Sequence, residues 1–299
     1  MLLSASCIAL PPGTYRSDQF APGTGPDLAR AATFQGLGAW WDVFDWSPTF
    51  LNGRQTVGLA DVDRLADAGV QVFYIQTATW RLPEPEHDVL DEGLLRDIIG
   101  RAHARGMRVV TWYLPEHVDE AMDMRRMNAA IALGVDGFGV DIESQKNPDV
   151  ANRSAVLIDE VAQLRAQHPA LPLASIPVAP IVWERLNHTW WPNFPYRQLA
   201  NYFDAWLPQN YWTNRRADSG LRDGYRYNVE NINLLRDLTG VPWLPVAPIG
   251  GITPEVTKDD IAGMFRAMHD THSIGGSIYD APHTDPSLYG RLRWFRIPK

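Results

Sequence analysis

The stretch "DGFGVDIESQ", residues 136–145, is an apolar run whose alternation ends on two carboxylates. Read as a β-strand, it places Gly139, Asp141 and Glu143 on one face and Phe138, Val140 and Ile142 on the other. The apolar face suits a layer of covering helices, which leaves the two acids pointing the opposite way. Cα atoms two apart on a strand are about 6.5–7 Å from one another. At that spacing two carboxylates oppose each other's ionisation, favouring one protonated acid beside one anion. Strand interiors have little use for such a pair unless it does chemistry.

Seven further apolar runs accompany this one: "GLGAWWDVF" (36–44), "VQVFYIQTA" (70–78), "MRVVTWYL" (107–114), "LPLASIPVA" (171–179), "YFDAWLPQNYW" (202–212), "VPWLPVAPI" (241–249) and "GGSIYDA" (275–281). Between them lie helical patterns at 61–69, 92–106, 120–134, 152–169, 227–240 and 259–270, several closing on Gly and the last following the cap residue Thr257. Strand–helix alternation with nearly continuous apolar strands predicts a parallel sheet covered by helices. Eight such units predict a single (β/α)8 TIM barrel, an α/β fold, over residues 31–299. The Pro/Gly-rich residues 1–30 read as an extended N-terminal lead-in.

Composition narrows the partners. A net charge of −8 over 299 residues, with no basic run, argues against nucleic acid or an anionic membrane surface. No apolar stretch is long enough to span a bilayer. Cys7 is the single cysteine, so an internal disulfide and a cysteine-based metal site are both excluded. The short apolar start before Cys7 reads as the remnant of a trimmed or mis-started signal, which favours a secreted or cell-envelope location over the cytoplasm. No HExxH, Walker loop or G-x-S-x-G elbow occurs, the eight histidines are scattered, and no metal or cofactor is implied.

In a barrel of this kind the chemistry sits at the C-terminal ends of the strands. Glu143 and Asp141 end the fourth strand there, Asp42 the first and Asp280 the eighth. Asp42 and Asp45, three apart, cannot both face inward from a regular strand, so one is expected to be a turn or cap group. Gln209 and Tyr211 share a face on the sixth strand and suit a sugar hydroxyl or a charged intermediate. Twelve tryptophans are unusual. Most are expected to pack, but Trp46, Trp80, Trp112, Trp190, Trp191 and Trp212 fall at or just after strand ends, where an indole face suits a pyranose ring. In "HTWWPNFPY" adjacent indoles point opposite ways, so one of Trp190 and Trp191 is expected to anchor the loop and the other to face the cleft.

The stretch "DGFGVDIE" resembles the family 18 chitinase signature DxxDxDxE, with Asp136, Asp141 and Glu143 matching and Gly139 standing for the second Asp. It is also similar to the fourth-strand Asp-x-Glu of family 25 muramidases, and "VFYIQTATW" (72–80) is similar to their second strand. The resemblance implies that Glu143 protonates the leaving oxygen of a glycosidic bond, with Asp141 as its partner. The Tyr-Asp that family 18 carries after the sixth strand has no match in "PQNYW" (208–212).

These observations together predict a glycosidase acting on a polysaccharide or cell-envelope glycan. Two alternatives use the same features. One is a carbohydrate-binding barrel without catalysis, favoured by the missing sixth-strand Asp. The other is a metal-dependent barrel hydrolase or lyase with the acids as ligands.

Overall fold

A computed structural model describes residues 24–84 and 86–298. Most of the expected lead-in, together with Cys7 and the signal remnant, lies outside the described residues. The strands are β1 (Gly36–Trp41), β2 (Val72–Gln76), β3 (Arg108–Tyr113), β4 (Gly137–Ile142), β5 (Leu173–Pro177), β6 (Ala205–Trp206), β7 (Gln209–Asn210), β8 (Ile249–Ile252) and β9 (Gly275–Tyr279). The helices are α1 (Leu28–Ala31), α2 (Val43–Trp46), α3 (Pro48–Leu51), α4 (Leu59–Ala68), α5 (Glu92–Ala104), α6 (Glu120–Ile131), α7 (Val150–Gln167), α8 (Tyr196–Leu199), α9 (Arg226–Thr239), α10 (Lys258–Asp270) and α11 (Tyr289–Leu292).

All nine strands are parallel and form one curled sheet in the order β6-β5-β4-β3-β2-β1-β9-β8-β7. The architecture is α/β and TIM-barrel-like. Nine strands replace the expected eight because the sixth run carries both β6 and β7, with Leu207 and Pro208 between them. Proline has no N–H to give to a ladder. The gap is bridged on both sides, Val178 pairing with Gln209 and Trp206 with Val246.

The seventh run also departs from expectation. Its regular strand begins at Ile249, near the end of the predicted run, because Pro242, Pro245 and Pro248 interrupt the donors before it. Helix boundaries follow local chemistry more closely. Asp119 and Asp149 cap α6 and α7, Thr257 and Asp260 form a capping box on α10, and Gly69 and Gly240 end α4 and α9 at positive φ.

Alternation along the strands separates two apolar shells. Phe73, Ile75, Val109, Phe138, Val140 and Ile142 pack against the helices. Trp40, Val72, Tyr74, Val110, Trp112, Ala174 and Ile176 fill the interior of the curled sheet. There the Trp40 and Tyr74 rings stack at 4.0 Å, and Trp112 meets Trp40 edge-on at 5.9 Å. Trp40 Nε1 donates to Ser277 Oγ at 2.7 Å.

Glycines make room for this interior packing. A Cβ on Gly38 would fall 2.8 Å from Tyr74 Cε2, and one on Gly139 2.6 Å from Ile176 Cδ1. Gly139 is the position where the resembled signature has an acid, and the interior volume such a side chain would need is occupied by Ile176. Gly139→Ala is expected to destabilise by about 1–3 kcal/mol through overpacking. Ile176→Val, which removes the clashing methyl, should recover part of that loss in the double variant. Urea unfolding of the four proteins of this cycle checks the coupling, and additive losses would disprove it.

Candidate active site

The strand ends and the loops that follow them surround a cavity of about 230 Å³ lined by Asp42, Phe44, Gln76, Trp112, Leu114, Asp141, Glu143, Gln209, Tyr211, Ile252 and Tyr279. Trp112 joins its lining to the interior aromatic layer, which therefore underlies the acids. A larger hollow of about 390 Å³ lies among Glu84, Glu86, His87, Asp88, Asp91 and Glu92, on the connection after β2. Its carboxylates are engaged elsewhere, Glu92 with Arg96, Asp88 with Arg125 and Asp91 with Ser47 and Thr49, and it lacks the aromatic and amide groups that converge at the strand ends.

Asp141 is buried, and its Oδ1 accepts from Gln209 Nε2 at 2.8 Å. Burial pushes its carboxyl well above the usual carboxylate range, and the neighbouring Glu143 pushes it further. Burial likewise raises Glu143, while the Gln209 amide opposes the shift. The partner of this acid pair is thus a neutral amide, and no Arg or Lys is paired with either acid among the described residues.

Asp42 serves the fold and the cavity together. As the N-cap of α2 its Oδ1 accepts from Phe44 N, and Asp45 Oδ2 accepts from Asp42 N to complete a capping box. Its other oxygen accepts from the Tyr279 hydroxyl at 2.6 Å. Burial raises Asp42, and burial followed by repulsion from Asp42 and Asp280 raises Asp45 to about 7. Asp280 is not among the residues lining the cavity. Its Oδ1 accepts from His283 N and meets His283 Nδ1 at 2.7 Å. Oxygens of Asp45 and Asp280 and a ring nitrogen of His283 all lie within 4.8 Å of one another, the only grouping of metal-ligand character among the described residues.

The tryptophans are mostly structural. Trp46, Trp191 and Trp212 are buried in the helix-facing core and offer no face to a ligand, contrary to expectation. Trp46 Nε1 donates to Gln76 O, and Trp191 packs against Trp183, Phe194, His117 and the Arg153 guanidinium. Trp191 is the expected anchor of the pair, whereas Trp190 rests half-buried on the same core outside the cavity lining rather than facing the cavity. Trp80 is half-buried beneath Arg81 and Lys146, also outside the cavity lining. Of the six, Trp112 lines the cavity.

The sequence reading missed several lining residues. Gln76 and Tyr279 end their strands on the inward parity that selected Asp141, so the same argument reaches them. Phe44 is 61 % exposed at the mouth, and its ring is braced edge-on by Phe50 at 5.1 Å. Asp136 lies at the other end of β4, where its Oδ2 accepts from Val109 N and meets His103 Nε2. It fastens the strand's entrance, far along the chain direction from the mouth.

Behind β3 and β4 a buried polar network supports the loop after β3. Tyr113 Oη donates to Asp123 Oδ1 at 2.7 Å, and Asp123 Oδ2 accepts from His117 N. His117 Nδ1 meets Glu160 Oε2 at 2.8 Å, both side chains fully buried. Burial raises Glu160 to about 8 and lowers His117 to about 4, so at neutral pH a protonated acid faces a neutral imidazole. Desolvation outweighs the attraction an ion pair would gain here.

Because Glu160 keeps its proton in the folded chain and loses it in the unfolded chain, its stabilising contribution is full below the ordinary 4.5 and lost as pH rises through about 8. His117, lowered from 6.5 to about 4, opposes this loss below 6.5, so wild-type urea midpoints should decline most clearly from 6.5 to about 8, and Glu160→Gln should flatten that decline. Parallel slopes in the two proteins would rule out a buried, protonated Glu160.

No protein-family model matches the sequence, and no curated protein matches it. Solved structures do resemble the fold. The spore cortex-lytic enzyme SleL of Bacillus cereus aligns with a TM-score of 0.59 at 10 % identity, covering 88 % of this chain and 75 % of that one. A GH18 chitinase from Cycas revoluta aligns with a TM-score of 0.59 at 11 % identity, covering 86 % and 98 %. The endo-1,4-beta-D-mannanase of Thermotoga petrophila aligns with a TM-score of 0.60 at 9 % identity, covering 87 % and 99 %. These neighbours are glycoside hydrolases with TIM-barrel-like folds, and at such identities the likeness is one of fold.

Proposed function

We propose that residues 31–299 form one catalytic unit, a (β/α)8 barrel in which β6 and β7 are two halves of the sixth strand, and that it hydrolyses a glycosidic bond in a polysaccharide or cell-envelope glycan. The observation that carries this reading is the desolvated pair Asp141 and Glu143, held by a neutral Gln209 in a cavity that Asp42 and aromatic rings also line. The fold shared with glycoside hydrolases supports it, and the cell-envelope assignment leans on SleL.

In this mechanism Glu143, its carboxyl raised by burial, delivers a proton to the leaving oxygen as the bond to the anomeric carbon breaks. Asp141 and Glu143 disfavour a double anion, so the pair retains a proton that Glu143 can deliver. Asp42, steadied by the Tyr279 hydroxyl and the α2 cap, acts as the second carboxylate, as base for water or as nucleophile. Asp280 acts behind it as a supporting acid. Gln209 and Tyr211 bond sugar hydroxyls, and Phe44 and Trp112 supply apolar surface.

Glu143→Gln keeps the side-chain shape and removes the proton. Turnover on an unactivated glycoside is expected to fall at least ~100-fold, a typical loss for a general acid, with an unchanged melting curve. Near wild-type turnover in the folded variant would remove Glu143 from this role. Phe44→Ala should raise KM about tenfold with kcat nearly unchanged, the scale of one lost aromatic contact. An unaltered KM would place sugar stacking elsewhere.

A metal-dependent hydrolysis is the second reading, favoured by the Asp45, Asp280 and His283 grouping. Full activity after exhaustive chelation would exclude it.

A further inference from the structure

The number of acids around the cavity exceeds what a pair of hydrolytic carboxylates requires. Asp42, Asp141 and Glu143 line it, Asp45 is bonded directly to Asp42, and Asp280 adjoins Asp45. No Lys or Arg is among the lining residues. Asp141 is met by the neutral Gln209 amide, Asp42 by the Tyr279 hydroxyl and a backbone N–H, and Asp45 by a backbone N–H. Only Asp280 has a partner able to carry positive charge, the largely exposed His283. The nearby cations Arg81 and Lys146 lie over the Trp80 ring.

A low-dielectric cleft lined with one sign of charge focuses that field on whatever enters it. An entering cation favours the ionised form of these acids, which makes the field negative, and Trp112, Tyr211, Tyr279 and Phe44 add aromatic surface, whose faces also attract cations. The Tyr211 hydroxyl is the one phenol of the cavity with no hydrogen-bond partner among the described residues. An ammonium brings three donors and a compensating charge to oxygens that can only accept when ionised. An acetamide brings no charge, and its carbonyl oxygen would sit among acceptors.

We propose that the sugar held in this cavity carries a protonated primary amine, so that the substrate is an oligosaccharide containing non-acetylated hexosamine, with the ammonium between Asp42 and Asp141. This rests on the glycosidase reading of the same cavity.

Calorimetric titration of the Glu143→Gln protein near neutral pH tests it with four oligomers of matched length: glucosamine, galactosamine, N-acetylglucosamine and glucose. The two amine-bearing arms distinguish the sources of the amine, and at least one is expected to bind about tenfold or more tightly than the acetylated and neutral oligomers. That preference should shrink at high salt and in Asp42→Asn on the same background. Should Asp42→Asn fail to fold, the salt dependence of the unaltered cavity decides alone. Equal or tighter binding of the acetylated or neutral oligomer overturns the inference and leaves the hydrolase reading standing. Selective binding of an amine oligomer that wild-type protein never cleaves supports the inference and overturns the hydrolase reading. Binding of none of the four overturns both.

Discussion

Inside the curled sheet the Trp40 indole lies flat on the Tyr74 phenol ring, with Trp112 closing against its edge, and this aromatic layer sets what the rest of the interior can do. The Tyr74 ring fits there because Gly38 has no side chain, and Ile176 packs beside the layer because Gly139 has none. The layer excludes water from the interior below the strand ends and carries one edge, Trp112, into the cavity lining. Carboxylates placed directly above such a surface are desolvated on one side before any substrate arrives. The weakened acidity of Asp141 and Glu143 follows from that burial, reinforced at Asp141 by its neighbour Glu143.

The mouth is built by reusing structural groups. Asp42 begins a helix and lines the cavity, so the geometry of a capping box fixes one of its carboxylate oxygens and leaves the other to Tyr279. Gln76 works similarly: its side-chain oxygen accepts from Val43 N, and its carbonyl accepts from Trp46, binding the end of β2 to the start of α2. The opposite end of the sheet is held by ordinary ion pairing. Buried Asp204 accepts from Arg30 and Arg165 and from Leu173 N, and Asp136 bonds Val109 N. The charged partners that stabilise the entrance of the strands are missing from the lining at their exits.

Regularity made much of this legible in the sequence. The strand parity that turned Phe138, Val140 and Ile142 outward needed only the period of two, and it turned Asp141 toward the interior by the same rule. Helix ends were legible where a cap residue or a glycine at positive φ fixed them, as at Thr257, Gly69 and Gly240. The split sixth strand and the displaced seventh were less so. Their prolines were visible, but which carbonyls and amides would pair across the gap depended on neighbouring strands. The alternation of strands and helices and the inward parity of the acids are local properties, determined by the sequence itself.

Which aromatic rings face solvent was a different matter. Trp46, Trp191 and Trp212 stand near strand ends exactly as Phe44 does, yet three are buried and one is exposed. No local pattern separates them, because burial depends on which distant elements pack over each ring: Gln76 over Trp46, Arg153 and His117 over Trp191, Gly250 and Gly251 beside Trp212. The same holds for the acids. Asp280 lies more than two hundred residues from Asp42 and Asp45, and its repulsion on them exists only once β1 and β9 are paired. Sequence determined which side chains could turn inward, through the period of a strand; tertiary structure decided which carboxylates share one field and which rings keep a free face, because both depend on contacts between strands and loops remote in the chain.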